Sequence, residues 1–207
     1  MSKLTPRQSC PSRSTSHEPE APYVGPVMQN VAINEDEIGR RAMAVHEAGH
    51  QVMAVALSVT SKGVILAGDR GRSFDALSRH GLDPSEMRYW ALLRKEIQIL
   101  LAGEWAVRIF YDKIGDSSEA YGSEADRTAL GYLVSELSTQ EEVPKYILLQ
   151  QHEDMVFASL RARWRYVERV ADSLLTLGSL TGYDVEELLL EMPKRDSDAP
   201  RATSARI

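Results

Sequence analysis

The sequence predicts a mainly α domain with a small β-hairpin or sheet beside its first helix. Three observations carry this expectation. Apolar residues recur at helical spacing through most of residues 34–192. Leu, Ala and Val dominate the apolar fraction, while only 7% of the chain is aromatic, a balance that favours packed helices. One stretch alone, Val64 to Leu77, has short runs of branched residues broken by Gly68-Asp69-Arg70-Gly71, the pattern of two strands about a turn.

The elements follow in order. Residues 1–33 read as a disordered tail, because Ser, Pro, Thr, Arg and Gln fill it without an apolar period. Asn34 caps the first helix with Glu37 as reciprocal partner, and the apolar positions carry that helix to about Val59. Strands are expected around Val64-Ile65-Leu66 and from Ser73 to Leu77. Asp83-Pro84-Ser85-Glu86 reads as cap, first-position proline and first-turn acid of a second helix, reaching roughly Tyr111. Residues 112–122 form a loop, and Ser123 caps a third helix to about Leu137. Thr139 with Glu142 opens a long fourth helix to about Leu177, and Thr181 opens a short last one through Val185, Leu188 and Leu189. The domain thus spans 34–192, and 193–207 is a flexible polar tail.

Composition removes several function classes. With 43% apolar and 26% charged residues in 207, the chain can bury an ordinary core. A net charge of −6 argues against a nucleic-acid partner, which asks for a basic field. Arg161, Arg163, Arg165 and Arg169 are the local exception, and they read as a solvated helix face rather than a phosphate-binding stripe. A single cysteine, Cys10, rules out a disulfide framework and a cysteine-based metal site. There is neither an apolar run of membrane-spanning length nor the apolar segment of a secretory signal, so a cytoplasmic protein is expected.

The chemistry concentrates in His46-Glu47-Ala48-Gly49-His50. Histidines four residues apart on a helix share a face one turn apart, so their ring nitrogens can converge on one metal ion. Glu47 projects beside the first of them, placed to take a proton from a water that the metal acidifies. Ala44, Val45, Ala48, Gly49, Val52 and Met53 surround the motif and mark the helix as buried. A buried, unpaired carboxylate costs several kcal/mol, which a metal site offsets. Gly49 costs about 1 kcal/mol in mid-helix, and close approach of another element would explain it. Two imidazoles leave a catalytic zinc site one protein ligand short. His80, His152, Glu104, Asp116, Glu119, Glu124 and Asp126 are the candidates, although Ser123-Glu124-Ala125-Asp126 is also an ordinary capping box.

The sequence also resembles a family. Ala44 to His50 followed by Val52-Met53-Ala54, then Leu100-Leu101-Ala102-Gly103, then Gly122-Ser123-Glu124-Ala125-Asp126 with Ala129, and finally Leu174-Leu175 with Leu180-Thr181-Gly182-Tyr183-Asp184-Val185-Glu186-Glu187-Leu188, are similar to the peptidase domain of FtsH-type metalloproteases, the M41 family. The likeness covers roughly residues 34–192. It implies Zn2+ as cofactor, His46, His50 and Asp126 as its ligands and Glu47 as general base, with Glu124 or Glu119 the alternatives to Asp126 that the residues themselves leave open. It also implies ring assemblies and a substrate of peptides or unfolded chains.

Two departures qualify the likeness. Glu104-Trp105-Ala106-Val107 stands where the family continues Arg-Ala-Ala-Glu, and the family's ATPase module and membrane anchor have no counterpart here. The expected activity is therefore ATP-independent peptide hydrolysis, with a separate ATPase chain or a homo-oligomer as partner. An extended substrate is expected to add at an edge near Val64-Ile65-Leu66, and Arg79 and His80 read as a surface loop. The rival readings are a non-catalytic module that keeps zinc, and a helical interaction protein without metal. Trp90, Trp105 and Trp164 read as core.

Overall fold

The computed structural model describes residues 35–67, 70–75, 82–116 and 123–191. These form α1 (Glu35–Ala56), β1 (Ser61–Ala67), β2 (Arg70–Asp75), α2 (Met87–Ile114), α3 (Glu124–Glu141), α4 (Lys145–Ala162), α5 (Trp164–Leu177), β3 (Ser179–Thr181) and α6 (Gly182–Leu188). The chain is mainly helical, with one antiparallel sheet in the order β2-β1-β3 against α1. No described helix is long and apolar enough to cross a membrane. Cys10, Asn34, Leu77, Arg79, His80, Glu119 and both predicted tails lie outside the described residues.

Helix α1 is the axis of the domain. Every residue from Ala44 to Ala56 is buried, because α2, α5, β1 and β2 all pack around it. A helix enclosed on all sides needs small or apolar residues on every face, which Ala44, Ala48, Gly49, Ala54 and Ala56 provide. The sheet is tied to α1 by a buried polar link. Gln51 accepts from the Ser61 hydroxyl and donates to the Gly63 carbonyl at 3.4 Å, so none of the three is left unpaired.

Several boundaries differ from the sequence expectation. Asp83 does not cap α2. Its carboxylate accepts the Ser85 N–H at 2.8 Å in a separate turn, and the helix begins at Met87. Thr139 does not open a helix either, since its hydroxyl bonds the Ser135 carbonyl four residues back, inside α3. Helix α3 continues to Glu141, the chain turns at Glu142 with φ +55°, and Pro144 precedes α4. The long fourth helix is in fact two, parted at Arg163 (φ −115°, ψ 16°). No proline or glycine marks this break. Packing imposes it: Leu148, His152, Val156 and Leu160 seat α4 largely on α2, while Val167, Val170 and Leu174 seat α5 on α1.

The sheet also departs from expectation. Strand β2 starts at Arg70, which pairs with Ala67, so the turn is tighter than the Gly-rich run suggested. Strand β3, only three residues long, was not expected. It pairs with Gly63–Ile65 on the far side of β1. Val64 and Ile65 are therefore hydrogen-bonded into a central strand, and the expected free edge at Val64-Ile65-Leu66 does not exist. Among the described residues the open edges belong to β2 and β3.

The arginines at the α4–α5 joint are engaged locally. Arg161 lies over Phe157, Arg163 donates to the Ser159 carbonyl at 3.3 Å, and Arg165 and Arg169 lie over Tyr166. Trp164 is buried, whereas Trp90 and Trp105 are partly buried and pack against the core.

His152 sits buried on α4, and its Nδ1 has no hydrogen-bond partner. Burial, helped by the nearby Arg94 charge, pushes its pKa down from 6.5 to about 4. The unfolded chain therefore binds a proton that the folded chain refuses between those values. The stability this group leaves intact above pH 6.5 is lost as pH falls toward 4. Each pKa unit corresponds to about 1.4 kcal/mol, so the loss amounts to a few kcal/mol at most. His152→Leu should flatten this fall, so the stability difference between wild type and variant, from urea unfolding, should shift toward the variant between pH 7 and pH 5. A pH-independent difference would contradict the assignment.

Candidate metal centre

Helical spacing brings His46 and His50 together on α1, with their rings edge-on, 4.7 Å apart and at 86°. Asp126 reaches them from the first turn of α3, 80 residues after His46. The Ser123 hydroxyl caps that turn by accepting the Asp126 N–H at 3.4 Å, which leaves the aspartate side chain to face the imidazoles. An anion in the first turn also gains from the helix dipole. The Ser123 cap and the site reading therefore hold together, while the reciprocal half of the expected capping box is absent because the Asp126 carboxylate is turned to the histidines.

Three atoms converge. His46 Nε2 lies 3.0 Å from Asp126 Oδ2 and 3.1 Å from His50 Nε2, and His50 Nε2 lies 3.3 Å from Asp126 Oδ2. A tetrahedral ion with bonds of about 2.0–2.2 Å sets its ligand atoms roughly 3.3–3.5 Å apart. The triangle is thus close to one face of such a coordination shell. His46, His50 and Asp126 could hold a metal ion, and they are the one such group among the described residues.

The protons point the same way. His50 Nδ1 lies 2.7 Å from the Ile99 carbonyl, which only accepts, so the proton is on Nδ1 and Nε2 of the neutral ring keeps its lone pair. That nitrogen faces His46 Nε2 and the Asp126 carboxylate, so a proton or a cation between them is favoured. Burial alone would push His50 below its ordinary pKa. The hydrogen bond and charge of Asp126, the Glu47 charge and the Ile99 carbonyl together outweigh burial, and the value is raised from 6.5. Burial alone would raise Asp126, but hydrogen bonds and charge from His46 and His50 hold it well below the usual carboxylate range. The cluster attracts a proton or a cation, and its donor set suits a borderline divalent metal.

Helix α2 forms the back wall. A Cβ on Gly103 would stand 2.6 Å from His50 Nε2 and 2.7 Å from His46 Nε2, so only a glycine lets the α2 backbone approach the rings. The same crossing explains Gly49, where a Cβ would meet the Ala102 carbonyl oxygen at 2.5 Å and Ala106 Cβ at 2.7 Å. Glu104 pairs with Arg108, and Trp105 packs on Phe157 of α4 with ring centroids 5.3 Å apart. Within the Glu104-Trp105-Ala106-Val107 stretch, Ala106 packs against Gly49 of α1.

Glu47 is buried, and its carboxylate accepts the Ser73 hydroxyl of β2 at 2.6 Å. Its charge is felt at His50. The other third-ligand candidates among the described residues are not brought to the histidines. His152 lies on α4 near Arg94, Glu104 is bound to Arg108, Glu124 is exposed on α3, and Asp116 stands outside the group. His80 and Glu119 lie outside the described residues. Sequence reading missed Ser73 and the Ile99 carbonyl. A main-chain acceptor leaves no mark in residue identity, and a serine in a strand is unremarked until the strand is placed. The chain matches no protein-family model and no curated protein sequence.

Proposed function

We propose that the chain is a zinc metallopeptidase of the FtsH-like type, acting on peptides or unfolded chains. The observation that carries this reading is the near-tetrahedral triangle of His46, His50 and Asp126 with a buried carboxylate, Glu47, next to it in the chain. A site that served structure alone would have no use for a second carboxylate there. Zinc is the ion that two imidazoles and one carboxylate with an open fourth position suit best. When bound, it supplies a Lewis acid for the peptide carbonyl and lowers the pKa of a water toward about 7.

The remaining work falls to residues of this chain. His46, His50 and Asp126 hold the ion, and Ile99 fixes the His50 tautomer. Glu47 takes the proton from the attacking water as oxygen adds to the carbonyl carbon. It then passes that proton to the departing amine as the C–N bond breaks. With β1 paired on both sides, the open strand nearest Glu47 is β2, and an extended peptide would pair along it.

The test uses zinc-loaded protein without ATP, offered a fluorogenic peptide and a folded protein. The reading predicts cleavage of the peptide and survival of the folded protein, whose degradation would need a separate unfolding ATPase. A peptide left uncut at full zinc occupancy contradicts it, as does rapid ATP-free degradation of the folded protein.

A further inference from the structure

We infer that Ser73 is a positioning residue, holding the Glu47 carboxylate in its working rotamer from strand β2. The inference rests on the reading of Glu47 as the base. A glutamate has three rotatable side-chain bonds, and a base on a helix must lose that freedom to act in one direction. Burial restricts Glu47 without choosing among its orientations. The choice comes from two residues of the neighbouring strand. The Ser73 hydroxyl donates to Glu47 Oε2 at 2.6 Å, a short charge-assisted bond. The same hydroxyl lies 3.2 Å from the Glu47 main-chain carbonyl, so its one proton stays with Glu47 in either orientation. Two residues earlier, Gly71 packs so closely that a Cβ there would overlap Glu47 Cγ and Oε1. Alternation along a strand places residues 71 and 73 on one face, so β2 presents a slot and a hydroxyl together to the carboxylate.

The arrangement keeps the carboxylate an acceptor. Ser73 donates its hydrogen bond to Oε2, and Gly71 closes on the side of Oε1. Because β2 is also the open strand along which a substrate would pair, the element that binds the peptide is the one that aims the base. Ser73 itself touches neither the triad of donor atoms nor the substrate's reacting bond, so its effect passes through Glu47.

The experiment compares Ser73→Ala and Ser73→Thr with wild type in the full chain. Ser73→Ala should lower kcat roughly 10-fold or more with KM within about 2-fold, the signature of a lost transition-state contact. Bound zinc should stay at the wild-type level while Tm falls modestly, because a buried carboxylate loses a donor, and Ser73→Thr, which keeps a hydroxyl in a strand, should restore kcat to within about 3-fold. High-resolution crystal structures supply the readout independent of activity. Glu47 should occupy one rotamer in wild type and Ser73→Thr, and several in Ser73→Ala. A single unchanged Glu47 rotamer in Ser73→Ala, or unchanged kcat, overturns the inference. If zinc-loaded wild type cuts no peptide, the peptidase reading falls by itself, and the rotamer comparison still decides whether Ser73 sets the carboxylate.

Discussion

Glu47→Gln should lower peptide cleavage by roughly 10²–10⁴-fold, the contribution expected of a positioned general base. Bound metal should remain at the wild-type level, because Glu47 is not one of the three converging residues. The substitution is close to isosteric, and the glutamine amide oxygen can still accept the Ser73 hydroxyl. Packing against Gly71 is also kept, so folding should be little changed. What the amide cannot do is take up a proton from water near neutral pH. Single-turnover cleavage of a fluorogenic peptide, alongside metal analysis, reads both quantities. Cleavage at the wild-type rate would remove Glu47 from the mechanism. Loss of metal along with activity would instead make Glu47 part of the ion's support.

The second large effect is expected at Gly103. In an ordinary mid-helix position, Gly→Ala would stabilise by about 1 kcal/mol through helix propensity. Here the added Cβ would fall 2.6 Å from His50 Nε2 and from His46 Cε1, well inside van der Waals contact. Overpacking of this kind typically costs about 1–3 kcal/mol, enough to cancel the propensity gain. The rings are also what must move, since the opposing atoms are side-chain atoms rather than backbone. Metal affinity should therefore fall at least as far as it does on loss of an outer-shell contact, about 10–100-fold. Chelator competition measures the affinity and thermal unfolding the stability. A Gly103→Ala protein with higher Tm and unchanged affinity would show that α2 does not form the wall of the site.

Much of this centre could be read in the residues themselves. His46 and His50 are local: one helical period fixes their relation, and small apolar neighbours announce a buried helix. Asp126 is different, because nothing in residue spacing links it to a histidine 80 positions away. Seven acids and histidines could fill the third place by residue type alone, and the family likeness is what singles out Asp126. The helices with strong apolar periods were legible, although their ends were not. Thr139 shows why. A threonine followed by an acid three residues on reads as a cap, but a hydroxyl can equally bond back to its own helix. The break at Arg163 had no local signal, because α2 and α1 impose it by drawing α4 and α5 to different surfaces.

The sheet was the least legible element, and its error mattered most. A three-residue strand such as Ser179–Thr181 carries no detectable alternation, yet its pairing turns β1 from an edge into the centre. That moves the open edge beside the site to β2 and places Ser73 and Gly71 against Glu47. Gly103 lay inside a recognisable run, Leu100-Leu101-Ala102-Gly103, but only its distance to the two rings gives it a role.

If His46, His50 and Asp126 close around one divalent ion, anomalous diffraction recorded on both sides of the zinc absorption edge, from protein purified without added metal, will reveal it. A single zinc peak per chain is expected within bonding distance of both Nε2 atoms and an Asp126 oxygen. Crystals with no peak between those three side chains, or with the imidazoles turned away from one another, would contradict it.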